Sequence, residues 1–167
     1  KNTKGLKKEL ILEKIKSILE DPSIKKVGQN IKFDYMILKQ HGITIKSIED
    51  TMLISYTLDA GINRHGLDTL SEIHLNHKTI SYKDLTGSGK NKINFSDVEL
   101  DRATEYAAED ADVTLRLYNK LKARLDEEKL NKIYEVFEKP MVKLLSDIEI
   151  NGIKVDKSYL QELSKKF

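Results

Sequence analysis

Cysteine and tryptophan are absent from the 167 residues, proline occurs twice and glycine eight times. Without cysteine, disulfides, thiolate zinc sites, iron–sulfur clusters and thiol nucleophiles are excluded, and a reducing compartment suits the chain, so the cytoplasm is the expected location. No apolar run approaches the roughly 18 residues that cross a bilayer, and Lys1-Asn-Thr-Lys-Gly5 lacks the apolar stretch of a secretory leader, so no membrane partner is expected. With few helix breakers, apolar residues recur mostly at spacings of three and four, which predicts a mainly helical chain. The first residue is Lys rather than Met, and Leu163-Ser-Lys-Lys-Phe167 stops inside a helical pattern, so a piece of a longer protein is expected.

What is present describes an ordinary globular domain: 39% hydrophobic and 34% charged residues, with 29 basic and 27 acidic side chains and a net charge of +2. The charge is uneven. Residues 1–48 carry eleven Lys against five acids, whereas Phe95 to Arg116 carries seven acids against two Arg. A polyanion could lie along the first stretch while cations collect near the second; solvated helix faces are the ordinary alternative.

Leu6, Leu10, Ile11, Ile15, Ile18 and Leu19 form a helical stripe that ends before Asp21-Pro22. Lys25 to Gln29 reads as a strand, Phe33 to Gln40 as a helix closed by His41-Gly42, Ile43-Thr-Ile45 as a second alternating fragment, and Asp50 as the cap of a helix through Leu58. This βαβα rhythm predicts an α/β layer. A loop over Gly61 to Gly66 precedes a helix through Ile73, and the Gly, Ser, Lys and Asn of Lys83 to Asn94 predict a mobile loop. Arg102 to about Lys129 is the strongest helix. A second, from Asn131 to Ile150, is interrupted by Pro140, and Asn151-Gly152 and the capping Asp156 introduce a last one. A domain boundary is expected near residue 128.

Tyr106-Ala-Ala-Glu-Asp110 places a phenol and a carboxylate on one helix face, one turn apart. The pair suits phosphodiester hydrolysis: the carboxylate can hold a hard divalent cation, and the phenol can orient an attacking water without ionising. A core tyrosine beside a surface acid has the same spacing. Asp34 adds a carboxylate where a strand passes into a helix, a frequent ligand position in α/β folds, and also a plain first-turn acid. Gly87-Ser-Gly-Lys90 is too short for a phosphate-binding loop and reads as a flexible basic loop. His74-Leu-Asn-His77 has metal-pair spacing with no further ligands nearby and reads as a solvated helix end. No nucleophile elbow supports Ser/His/Asp chemistry.

Taken in order, Val27-Gly-Gln-Asn-Ile-Lys-Phe-Asp34, Asp50-Thr-Met-Leu-Ile-Ser-Tyr-Thr-Leu58, Arg64-His-Gly-Leu-Asp-Thr-Leu70, His77-Lys-Thr-Ile-Ser-Tyr82, Gly87-Ser-Gly-Lys90 and Tyr106-Ala-Ala-Glu-Asp-Ala-Asp-Val-Thr114 resemble the 3′–5′ proofreading exonuclease domain of bacterial family A DNA polymerases, DNA polymerase I. Ile148 to Asp156 resembles the passage from that domain into the polymerase thumb, so the expected domains are 1–128, a partial exonuclease, and 129–167, the start of the thumb. The resemblance implies a ribonuclease H-like α/β exonuclease fold and two divalent metal ions, Mg²⁺ or Mn²⁺. It implies as partners a single-stranded DNA 3′ end and a polymerase domain in cis, at the nucleoid. It implies that Asp34 holds one metal through water, that Asp110 is a metal ligand and that Tyr106 orients the nucleophilic water. Gln29 and Asn30 then meet the 3′ end, Arg64 a backbone phosphate, and Tyr82 stacks on the bound strand.

One departure stands against these matches. The family's first motif, an Asp-x-Glu on an early strand, has no counterpart: the acids before Val27 are Glu9, Glu13, Glu20 and Asp21, in or beside a helix. Asp34 and Asp110 would then be half of a carboxylate cage, so this chain alone is expected to be inactive and not to hold both metals. Absent leading strands would leave the fold predominantly helical, with an exposed sheet edge able to pair with a second copy. A vestigial, non-catalytic platform for the polymerase, and a ribonuclease sharing the Tyr-x-x-x-Asp arrangement, are the competing functions.

Overall fold

The structure, a computed structural model, describes residues 6–89 and 92–166. Its framework is a two-stranded parallel sheet, β1 (Lys26–Gly28) beside β2 (Ile48–Asp50), in the register Lys26↔Ile48, Val27↔Glu49, Gly28↔Asp50. Parallel strands need a crossover, and α2 (Ile31–Gln40) supplies it. Before β1 runs α1 (Lys8–Glu20), which buries no residue: Leu10 and Ile18 of its apolar stripe are exposed, and the helix is tied down at its C-terminal end, where the Lys46 N–H donates to the Leu19 carbonyl.

After β2 come α3 (Thr51–Asp59), α4 (Leu67–Leu75), α5 (Tyr82–Thr86), a 3₁₀ turn at Phe95–Asp97 and α6 (Leu100–Glu127). The 28 residues of α6 make a rod about 42 Å long. Val113, Leu117, Leu121 and Leu125 recur every fourth residue on one side of α6 and are fully buried against Ile54 of α3 and Leu70 of α4. Val27 of β1 packs against the same cluster, so the sheet lies on α6.

Two expectations need correction, and a third, the interruption at Pro140, takes a specific form. Ile43 and Ile45 are buried but belong to no strand, the Ile43 N–H donating to the Leu38 carbonyl at 3.0 Å, and the strand is the more polar Ile48-Glu49-Asp50. Apolar burial and ladder pairing are separable, and the chain uses each in a different segment. The stretch expected as a loop from Lys83 begins inside α5, because Ser81 accepts a hydrogen bond from the Asp84 N–H and caps it; Lys90 lies outside the described residues. The helix expected over 131–150 is α7 (Asn131–Ile133), a π-helical turn at Tyr134–Glu138 and α8 (Lys139–Asn151). Pro140 offers no N–H to the carbonyl four residues back, and the widened turn just before it absorbs that loss.

The turn at Glu128–Leu130, with Lys129 at φ +60°, leads back onto the fold rather than away from it. Tyr134 is fully buried in the cluster beneath α6, and α8 lies on α2, with ion pairs Lys32–Glu149 and Lys39–Asp147. Past Gly152 (φ +66°), α9 (Lys157–Lys166) buries nothing, and Asp156 caps it by accepting from the Tyr159 N–H at 3.1 Å.

Candidate active site

The turn from β1 into α2 is built by one buried acid. Asp50, 3% exposed at the end of β2, accepts hydrogen bonds from the N–H groups of Asn30 (3.1 Å), Ile31 (2.9 Å) and Met52 (2.9 Å). It therefore satisfies orphan donors at the start of both α2 and α3. Asn30 takes the left-handed conformation, φ +56°, that this reversal requires. Gly28 is needed for a different reason: a Cβ there would meet the Ile31 side chain at 2.9–3.0 Å. The consequence is that α2 starts two residues earlier than the sequence pattern suggests, and Asp34 sits in its first turn.

Opposite this turn runs the acidic stretch of α6. Between them lies a cleft of about 710 Å³ lined by Gln29, Asn30, Phe33, Asp34, Tyr106 and Asp110, among others. β1 contributes Val27 and Gly28 to its lining. Two helices, α2 and α6, thus bring Asp34, Tyr106 and Asp110 to one cleft.

The electrostatics of that place are those of crowded acids. Burial raises the Asp110 carboxyl above its ordinary value, the facing Tyr106 hydroxyl pulls it back, and the charges of Asp68 and Glu109 push it up again. Asp34 is exposed at the rim, and partial desolvation raises its carboxyl as well. Tyr106 is pushed up to about 12, first by burial and then by Asp110. It stays a protonated hydrogen-bond donor throughout the physiological range.

Carboxylate oxygens are the donors a hard divalent cation prefers, and raised carboxyls are what an approaching cation would relieve. The set is nevertheless incomplete. Among the described residues no group of three or more His, Cys, Asp or Glu could hold a metal ion. Two carboxylates do not make a two-metal site, and no catalytic step can be derived from these residues through such an ion.

The other expected site residues fare differently. Gln29 lines the cleft, but its side chain is engaged internally: Nε2 donates to the His65 carbonyl at 2.7 Å and Oε1 accepts from Thr51. Asn30 lines the cleft with its backbone held by Asp50. Arg64 is exposed in the loop before α4 and outside the cleft lining. Tyr82, 47% exposed, reaches the site through an edge-to-face contact with Tyr106, ring centroids 6.3 Å apart. Its ring is stacked on Phe95 (6.2 Å, 11° between planes), which touches Tyr106 too. The two histidines set aside are not a solvated helix end: His74 is half-buried and burial lowers its pKa, while His77 Nε2 lies 2.8 Å from Glu109 Oε1.

Phe95, Asp68, Glu109 and the structural reach of Asp50 were not singled out by the sequence. Glu109 had a signal, its place beside Asp110 in an already suspicious block. Phe95, alone in a polar stretch, had none.

A parallel strand pair laid on a long helix, with a cleft of two aspartates and a protonated tyrosine beside it, is an α/β fold of the ribonuclease H-like kind. The chain belongs to the 3′–5′ exonuclease family, whose profile matches residues 3–126. Divalent-metal dependence comes with that family. DNA polymerase I of Rhizobium leguminosarum is 53% identical over 153 residues, covering 92% of this chain and 15% of that protein. DNA polymerase I of Borreliella burgdorferi is 40% identical over 158 residues, covering 93% and 17%. The chain therefore spans about a sixth of the length of these curated relatives. Among solved structures, the POL domain of Pol1 from M. smegmatis in complex with DNA primer-template and dNTP shares the fold at TM-score 0.75 and 22% identity, over 99% of this chain and 26% of that one. NrnC of Brucella melitensis does so at 0.66 and 24%, over 81% and 63%.

Proposed function

We propose that the chain is the greater part of the proofreading domain of a DNA polymerase I, which hydrolyses 3′-terminal nucleotides of single-stranded DNA. The observation that carries the reading is the convergence of Asp34, Tyr106 and Asp110 on one cleft. The high identity to polymerases over nearly the whole chain supports DNA rather than RNA as substrate.

In this reading Tyr106, kept protonated, donates its hydroxyl hydrogen bond to the attacking water and fixes its direction. Asp110 and Asp34 concentrate negative charge where Mg²⁺ or Mn²⁺ is required, and Asn30 meets the terminal nucleotide at the cleft's floor. Tyr82 stacks on a base at the mouth, Arg64 meets a phosphate further along the strand, and Gln29 shapes the floor through its internal bonds rather than by direct contact. With two carboxylates the chain alone binds metal weakly and is inactive.

Residues 129–167 begin the polymerase thumb and the polymerase lies in cis, so the protein works in the cytoplasm at the nucleoid. The unpaired side of β1 is a surface on which an isolated chain could dimerise. The incompleteness of the carboxylate set also favours a second reading, a non-catalytic platform for the polymerase.

The discriminating experiment compares digestion of a 5′-labelled single strand by this chain and by the chain extended N-terminally along its gene. A nuclease reading requires ladders from the extended protein with Mg²⁺ or Mn²⁺. Silence from both leaves the platform.

A further inference from the structure

Glu109, an acid of the α6 block, has both carboxylate oxygens engaged across the fold. Oε2 accepts the Ile80 N–H at 2.6 Å and Oε1 lies 2.8 Å from His77 Nε2, with the side chain 18% exposed. The stretch these bonds hold, residues 77–80, is also fastened to α4: Ser71 Oγ donates to the His77 carbonyl, and the buried Thr79 hydroxyl donates to Asp68, both at 2.8 Å. Two residues on, the chain enters α5 with Tyr82, whose exposed ring is stacked on Phe95 and set edge-on against Tyr106.

We propose that Glu109 is a positioning residue: by strapping residues 77–80 to α6 it fixes the Tyr82–Phe95 pair as a stacking platform for a nucleobase over the Asp110 cleft. The proposal rests on the nucleic-acid reading above. Charge-assisted bonds to a backbone N–H and an imidazole are strong and directional, and aromatic faces accept any base without sequence preference. The strap therefore acts on the grip of the strand, separately from the charge by which Glu109 raises the Asp110 carboxyl.

The probe is oligothymidylate ending in a 3′-terminal 2-aminopurine, whose fluorescence is quenched on stacking, added to the whole chain. Wild type is expected to quench it. Glu109→Ala should bind about tenfold more weakly and lose the quench, as should a Tyr82→Ala reference, with unchanged far-UV circular dichroism and faster amide exchange at residues 80–82. Glu109→Gln should restore the quench, because its oxygen still accepts from Ile80 and its amide can donate to neutral His77.

His77→Ala, which removes one bond of the two, should weaken the quench even if the Glu109→Ala variant fails to fold. A wild-type quench retained by both alanine variants, or a glutamine variant that folds and fails to quench, overturns the proposal alone. No quench by wild type overturns the nucleic-acid reading and the proposal with it.

Discussion

At the scale of residues, Asp110 is held in the native state at a cost that only a cation or a proton relieves. Its carboxyl is raised, mainly by burial, so folding disfavours its ionised form relative to the unfolded chain. The stability this group contributes is therefore full below its ordinary value of 3.8 and lost as pH rises through the higher folded value. Asp110→Asn is expected to raise the melting midpoint of the metal-free chain at pH 7 by about 2 °C, with the gain vanishing below pH 3.8. Thermal melts across that range check it. That Tyr106 and Asp110 share a face was legible because four-residue spacing on one helix puts them one turn apart, whereas Asp34 as their companion followed only from the family resemblance. The place of Gln29 was not legible, because its partners Thr51 and His65 arrive only with the fold.

Elements are set here by polar residues as much as by apolar ones. Asp50 supplies acceptors to three N–H groups that are otherwise buried or orphaned, and the left-handed Asn30 and the first turn of α2 depend on it. Asp50→Ala should cost about 1–3 kcal/mol in urea unfolding, and Asp50→Asn, which keeps one oxygen, should cost less. The Asp50 cap of α3 was readable from its position before an apolar run, whereas its reach across to Asn30 was not, because that bond spans the crossover. Likewise Ile43-Thr-Ile45 alternates as a strand should, but alternation reports burial and not pairing, and the polar Glu49 and Asp50 of the true strand hid it.

Over the whole molecule, residues beyond 128 pack on those before it. Tyr134 is fully buried under α6, and its hydroxyl accepts the Asp50 N–H at 3.0 Å, while Lys139 of α8 pairs with buried Glu49 at 2.9 Å. The C-terminal segment thus props the strand that shapes the site. Tyr134→Ala should cost about 3–5 kcal/mol, and a chain ended at residue 128 should melt well below the full one. Differential scanning calorimetry of both reads this directly. The sequence showed a break at this point because turn residues and a new helix begin there, but which surface the next helix covers is a tertiary fact that no periodicity reports.

The cleft between β1 and α6 is proposed as a 3′–5′ nuclease centre that works through Tyr106 and Asp110. The most direct measurement follows strands labelled at the 5′ end and incubated with Mg²⁺ and the N-terminally extended protein, in wild-type, Tyr106→Phe and Asp110→Ala forms. The prediction is stepwise shortening from the 3′ end by wild type, a rate lowered about a hundredfold or more by Tyr106→Phe with unchanged KM, and none with Asp110→Ala. Shortening at wild-type rate by the Asp110→Ala protein would contradict it.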